Sequence, residues 1–441
     1  MNHTEETLSV VGLGKLGLCM AGCLAEVGYP VIGIDVNPSL ITSINNGEVP
    51  YVETDLDRVL KNARGKLRAT LDYADAIQNS DTTFIVVATP TQSDGTYGNE
   101  QLEASLIAIA EQLKTKSKKH RIVVSCTVMP GTLNNSMVPL VERVSGKKLG
   151  IGFSLAYNPE FIAMGDVIRI FTHPDFVLVG ESEPEIGQKL EEIYKVLCPN
   201  DPPISRMSLI NAELAKISLN CYVTTKITYA NMLAELCEKL PGGDVDVITK
   251  AIGQDLRIGG KVLRGGLGFG GPCFPRDNRA FVRLAADFGM NANLAKTTHE
   301  TNRWQEQRIV EWIRSDLPVG STIAILGAAY KPRTPLVEES QAMNLARLLA
   351  QIGYVIRLQD PLAIANAKLE LGASVEYYEQ IEAALQNADA AIVTILGEEY
   401  GRITAETFLN AMNKNGIVYD LWRQYRGQNF GSLRYRAVGL G

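Results

Sequence analysis

The cysteine at position 273 has neighbours that point to chemistry. It lies in LGFGGPCFPRDNRAF, residues 267–281, is followed by Arg276 and Asp277, and is preceded by seven glycines between positions 259 and 271. Glycine-rich backbone lets a ligand lie close to the chain, and a nearby cation favours the thiolate, the nucleophilic form. By residue type alone, the alternative is a small buried apolar residue in a flexible loop. A second set lies in NAELAKISLNCY, where Lys216 and Asn220 are one helical turn apart and Asn231 falls near the same face three turns on. Buried side by side, a lysine and an amide could hold an oxygen that gains negative charge; on a surface face Lys216 would simply be solvated. Glu160 in YNPEF and Thr127 in SCTVMPG each follow an apolar, strand-like run. A glutamate there is either a base towards water or a helix cap.

A third set is near the N-terminus. Gly12, Gly14 and Gly17, with Leu13, Lys15 and Leu16 between them, spell G-x-G-x-x-G directly after the strand-like TLSVV and at the start of a helical pattern. Glycines there permit a tight turn, let backbone N–H groups approach a pyrophosphate, and aim a helix N-terminus at its charge. Asp35 closes the next apolar run, 18 residues beyond Gly17. A carboxylate at that point accepts hydrogen bonds from ribose hydroxyls and would repel a 2′-phosphate, so the expected cofactor is NAD rather than NADP. Thr89, Pro90 and Thr91 follow another apolar run and are expected at the carboxyl edge of the same sheet, where ligands bind.

These residues need elements to hold them. TLSVV, a helix and VIGIDV make one βαβ unit, and the runs at 82–90, 121–128 and 176–181 read as later strands of one parallel sheet. CPNDPPIS, 198–205, breaks the rhythm with three prolines. Residues 208–239 then contain no Gly or Pro, which predicts a helix about 45 Å long at ~1.5 Å per residue, a length that suits a domain bridge or a dimer interface. Beyond SDLPVGS at 315–321 the strand, helix, strand pattern restarts, with further runs at 388–395 and 416–422 but without the glycine fingerprint. The expected fold is α/β: two Rossmann-like doubly wound parallel-sheet domains joined by a long central helix and a helical dimerisation domain. The expected divisions are 1–200 for NAD binding, 201–314 for the central helical part with the cysteine loop, and 315–441 for the nucleotide-sugar-binding domain that the resemblance below implies.

Composition narrows the class. Hydrophobic residues make up 46% and charged residues 21%, values of a globular chain with a sizeable core. Forty-three Lys plus Arg against 49 Asp plus Glu leave a net charge of −6, which gives no bulk reason for nucleic-acid or membrane binding. No basic n-region with an apolar stretch opens the chain, and a cytoplasmic protein is expected. The seven cysteines form no Cys-x-x-Cys pair and have no adjacent His, so no metal site is expected. Cys19 and Cys23, at i and i+4 of an apolar helix, read as core.

Taken together, GLGKLG, TPT, SCTVMPGT, NPEF, AELAKISLNCY, RIGGKVLRGGLGFGGPCFPRD and GAAYKPRT resemble, in type and order, the nucleotide-sugar 6-dehydrogenases that oxidise UDP-glucose or GDP-mannose, with the UDP-glucose branch most similar. The likeness runs from about residue 8 to 425 and is most specific in Gly-Gly-x-Cys-x-x-Arg/Lys-Asp. It implies a four-electron oxidation of a primary alcohol to a carboxylate, with two hydrides passing to two NAD molecules. Cys273 would form a thiohemiacetal and then a thioester. Lys216 and Asn220 would steady the C6 oxygen, Asp277 would assist proton movement, and Glu160 with Thr127 would position the hydrolytic water. The resemblance also places Thr127 and Arg276 near the cofactor. It implies substrate contacts from Glu160, Phe161, Lys216, Asn220, the loop Val262, Leu263, Arg264, Gly265 and Gly266, then Gly270 and Lys331. Arg257 would reach a neighbouring subunit's site, so a homodimer or higher homo-oligomer is implied.

Three positions depart from the family pattern: Met164 replaces a second glutamate, Glu338 stands where an arginine commonly contacts NAD, and Val262 replaces an aromatic. Alternatives are the same chemistry on GDP-mannose or a UDP-N-acetylhexosamine, a two-electron hydroxy-acid dehydrogenase, and a binding regulator without turnover.

Overall fold

The computed structural model describes residues 6–162 and 165–441; Met164 lies outside them. The chain divides into two compact units between Ser218 and Leu219. In the first, eight strands form one sheet: β1 Leu8–Val11, β2 Val31–Ile34, β3 Leu67–Thr70, β4 Thr82–Ile85, β5 His120–Val124, β6 Phe153–Tyr157, β7 Val177–Glu181 and β8 Ile204–Ser208, in the order β3-β2-β1-β4-β5-β6-β7-β8. Leu8 of β1 pairs in parallel with Val31 on one side and Thr82 on the other. Strands covered on both faces read as continuous apolar runs, and their alternate residues feed separate cores. Val10 and Phe84 enter one, Val11 and Ile85 the other.

Four details differ from the sequence reading. The apolar run at 82–90 is strand only to Ile85: Val86 N–H still donates to Val11 O, after which the chain leaves the sheet across Gly12. Likewise the run at 121–128 is strand only to Val124. β7, expected among the parallel strands, pairs antiparallel with β6, Tyr157 opposite Gly180. Among the described residues the link between them carries only the short helix Val167–Thr172, and an antiparallel neighbour needs no crossover helix. The proline-rich stretch at 198–205 does not end the sheet, because its last residues open β8, which pairs in parallel with β7.

The predicted long helix runs from Leu209 to Lys239, 31 residues or about 46 Å. In the second unit six parallel strands form another sheet: β9 Thr322–Leu326, β10 Val355–Gln359, β11 Glu376–Tyr378, β12 Ala390–Val393, β13 Ile417–Asp420 and β14 Arg434–Ala437, ordered β11-β10-β9-β12-β13-β14. Its core extends to Ala234 and Cys237 on the long helix, so this end of the helix is packed as part of the second unit. Among the described residues no helix is long and apolar enough to cross a membrane.

Candidate active site

The glycine turn after β1 has the shape its sequence demands. Gly12 adopts φ +89°, and a Cβ there would meet Val86 O at 2.3 Å; a Cβ on Gly17 would meet Gly12 O at 1.8 Å. Gly14, the residue before the helix Lys15–Glu26, faces open space: a Cβ at this position would have nothing within 4 Å, and no side chain caps the helix. The first N–H groups of that helix therefore point out beside bare backbone, the requirement for a pyrophosphate. Asp35 follows β2 and accepts from Leu13 N–H at 2.7 Å and Asn37 N–H at 3.0 Å. A carboxylate offers about four lone-pair sites, so acceptor capacity remains for ribose hydroxyls. These residues fit a dinucleotide. Leu13 contributes backbone only, for its side chain is buried beneath Gly33. Lys15 and Leu16 are partly exposed in the first helical turn, Thr89 is buried, and Pro90 and Thr91 are exposed beyond β4. Thr127 is partly exposed just past β5, next to Cys126, whose thiol burial pushes up to about 12.

Also in the first unit, Glu160 follows β6. Burial raises its carboxyl to about 7, against the opposing pull of a Tyr194 hydrogen bond and the Lys216 charge. The Tyr194 hydroxyl lies 3.1 Å from Glu160 Oε1 and 2.8 Å from Asn158 Oδ1. Lys216 is 5% exposed, which excludes the solvated reading; its ammonium donates to Glu160 O at 2.5 Å and sits 4.3 Å from the Phe161 ring centre. Nothing in the spacing of YNPEF announces Tyr194, which arrives from the helix Pro184–Leu197. Glu213 was also missed by the sequence reading. It is fully buried and accepts from Gly131 N–H at 2.7 Å and Leu133 N–H at 2.9 Å, tying the loop after Thr127 to the long helix. Its signal was its place three residues before Lys216 on the same face.

In the second unit Cys273 is the residue before the helix Phe274–Asp287, and its carbonyl accepts the first-turn bond from Asp277 N–H. A sulfur there stands at the positive end of a helix dipole, which favours its anion. Asp277, fully buried, accepts from Asn220 Nδ2 at 2.6 Å, and Arg276 Nε stands 3.3 Å from its other oxygen. Asn220, Asp277 and Arg276 are thus one bonded group.

The loop 262–271 is pinned along its length. Gly266 N–H donates to Asn231 Oδ1 at 2.8 Å, Arg423 donates to Gly265 O at 2.8 Å, and Phe269 exchanges two bonds with Asn302. A Cβ on Gly266 would strike the Trp422 ring at 2.4 Å, and one on Gly270 would strike Glu339 O at 2.3 Å. Leu263 is buried, whereas Arg264 and Val262 are exposed, Val262 with φ +58°. Arg257 is exposed and paired with Asp255 at 2.6 Å. Lys331 is half-buried in the loop after β9, and Glu338 is exposed.

Family models for the UDP-glucose/GDP-mannose dehydrogenases match three segments: the NAD binding domain at 6–198, the central domain at 210–304 and the UDP binding domain at 324–427. The chain is 33% identical over 415 residues to the UDP-glucose 6-dehydrogenase AglM of Haloferax volcanii, covering 93% of this chain and 95% of that one. It is 34% identical over 403 residues to the GDP-mannose 6-dehydrogenase of Pseudomonas putida, covering 88% and 90%. The solved structure of a UDP-glucose dehydrogenase from Pyrobaculum islandicum superposes with a TM-score of 0.89 at 31% identity, over 100% of this chain and 99% of that one.

Proposed function

Because the chain belongs to the UDP-glucose/GDP-mannose dehydrogenase family, we propose that it oxidises the C6 alcohol of UDP-glucose to the carboxylate of UDP-glucuronate, in two steps. The observation that carries this reading is Cys273 at a helix N-terminus beside the buried Asn220–Asp277 pair. Bound NAD would supply a hydride acceptor at each oxidation, held by Gly12, Gly14, Gly17 and Asp35.

In the first oxidation the C6–H bond and the O–H bond break, and an aldehyde results. Lys216 and Asn220 donate to the oxygen as charge develops on it, which lowers the barrier because the donors are already in place. The Cys273 sulfur then adds to the aldehyde carbon. Loss of the remaining C6 hydride and the hydroxyl proton leaves a thioester. Water, deprotonated by Glu160 and oriented by Thr127, adds to the acyl carbon and expels the thiolate. Asp277 takes up and returns protons at the sulfur. The loop 262–266, Phe161, Gly270 and Lys331 contact the sugar nucleotide in this reading, and Arg276 stays near the cofactor. The division at 1–200, 201–314 and 315–441 is part of the same proposal and is supported by the three matched segments. A dimer is supported by the exposed stripe Tyr222, Tyr229, Met232 and Leu236 on the long helix, with Arg257 reaching the second copy.

GDP-mannose is the second reading, favoured by the 34% identical relative. Incubation of the enzyme with NAD and each nucleotide sugar, followed by mass spectrometry, tests both. Two NADH per UDP-glucose and an acyl adduct on Cys273 are expected. One NADH per sugar, or full activity in Cys273→Ala, overturns the four-electron reading.

A further inference from the structure

Asn158, Glu160 and Tyr194 form a polar group inside the first unit, and the reaction above gives a task to only one of them. Asn158 is 1% exposed and Tyr194 is 3% exposed. Asn158 Nδ2 donates to Leu178 O at 3.0 Å, which fixes the amide so that its Oδ1 faces the Tyr194 hydroxyl. That hydroxyl has a second acceptor within reach, Glu160 Oε1. A phenol carries one proton, so only one of the two oxygens can receive it at a time.

The two arrangements correspond to the two states of Glu160. When the carboxyl is neutral, it donates to Tyr194 Oη, and Tyr194 donates onward to Asn158 Oδ1. When the carboxylate is ionised, Tyr194 donates to it, and Asn158 Oδ1 loses its donor. The ionised arrangement gains a charge-assisted bond and gives up a neutral one in a buried place.

We propose, on the reading of Glu160 as the base towards hydrolytic water, that Tyr194 is a positioning residue steered by Asn158, its hydroxyl turning between the two oxygens as Glu160 gains and loses the water's proton. In that step an O–H bond of water breaks towards Glu160 as the oxygen joins the acyl carbon. The C–S bond breaks, and the proton on Glu160 then passes to solvent. Tyr194 follows by rotation about its C–O bond, with no ionisation of its own; burial and the neighbouring carboxylate raise the phenol well above its usual range.

The charged and titratable groups around Glu160 are few among the described residues. The helix Pro184–Leu197 and its C-cap bring Tyr194 and Cys198, and the Cys198 thiol is pushed up to about 12 by burial and by Glu160. The long helix brings Lys216, whose charge favours the carboxylate. With burial holding Glu160 near 7, each hydrogen bond added or removed shifts its titration within reach of a pH profile.

The two neighbours act in opposite directions, which a merely structural role would not produce. Tyr194→Phe removes the donor to the ionised carboxylate, so the acid limb of thioester hydrolysis should move up by roughly half to one pH unit. Asn158→Ala removes the competing acceptor, frees the phenol proton for Glu160, and should move the limb down by a similar amount. The measurement is multiple-turnover NADH release from UDP-glucose and NAD between pH 5.5 and 9, with the burst of the first oxidation recorded in the same traces. The burst rate and the NAD affinity are expected to stay at the wild-type values in Tyr194→Phe. An unmoved limb in Tyr194→Phe overturns the proposal, whether or not Asn158→Ala folds, and so do shifts of the same sign in both variants. One NADH per sugar in the wild type overturns instead the reading of Glu160 on which the proposal rests.

Discussion

The two sheets begin alike and end with different chemistry at their carboxyl edges. Each opens with a strand that runs into a glycine of positive φ, Gly12 at +89° and Gly327 at +104°, and in each an aspartate follows the second strand, Asp35 and Asp360. After Gly12 the helix starts at once, at Lys15, with no side-chain cap. After Gly327 the chain makes a loop before its helix Gln341–Ile352, and Ser340, 1% exposed, ties that loop to Ala328 O at 2.7 Å. The aspartates differ as much. Asp35 spends two bonds on backbone N–H groups and stays part-exposed. Asp360 is 3% exposed and accepts from Ala328, Ala329, Leu362 and Ala363 N–H. The same acid at the same place can accept from a ribose only where its lone pairs are left open. Topology supplies the position, and the loop decides whether it is a site.

The sharpest way to break the comparison is at the first glycine. Gly12→Ala puts a Cβ at 2.3 Å from Val86 O in a backbone conformation that L side chains rarely adopt. Calorimetric titration should show NAD affinity reduced by about 100-fold or more, equivalent to ~2.7 kcal/mol. Gly327→Ala is the control: its Cβ would meet the Ile395 side chain at 2.6 Å, and it should lower thermal stability while leaving NAD affinity unchanged. Equal loss of NAD affinity in both would erase the distinction.

Next in size is Asp360→Ala. It strips four N–H groups of their acceptor, three of them in buried bonds, a loss of about 3 kcal/mol or more in denaturant unfolding, with no change in NAD affinity. Asp35→Asn should show the reverse balance. Its stability changes little, because an amide oxygen still accepts from Leu13 or Asn37, while NAD binds about tenfold more weakly, and discrimination against NADP narrows as the carboxylate charge is lost.

Why one of these sites was legible from sequence and the other features were not follows from distance along the chain. The glycine turn, its helix and Asp35 are encoded within 24 residues, and the long helix is one continuous stretch, where the absence of Gly and Pro marked both ends to within a residue. Burial of Lys216 depended on what packs over it, and sequence left that open. Tyr194 meets Glu160 from 34 positions away, on an amphipathic helix whose spacing looks like any other. The antiparallel β7 was invisible because a buried apolar run has the same pattern in either direction. Asp360 follows its strand in YVIRLQDP just as Asp35 follows VIGI, and only the backbone geometry of its loop shows that its acceptors are occupied.

The smallest effect, and the finest test of the comparison, is expected at Gly14. Unlike Gly12, it has a negative φ of −59°, and, unlike both Gly12 and Gly17, it has room for an added Cβ, which would meet nothing within 4 Å. The fold therefore makes no demand for glycine here; a demand, if present, comes from a ligand pressed against the backbone. Gly14→Ala should cost no more than about 1 kcal/mol of stability, the scale of a poorer helix cap. NAD should nevertheless bind roughly fivefold more weakly, about 1 kcal/mol, as the methyl crowds the pyrophosphate. Inorganic pyrophosphate, titrated in competition with NAD, should lose affinity in the same proportion, whereas adenosine should not. If Gly14→Ala left NAD affinity at the wild-type value, the open space before the helix would not be where the phosphates lie, and the contrast between the two sheets would rest on Asp35 and Asp360 alone.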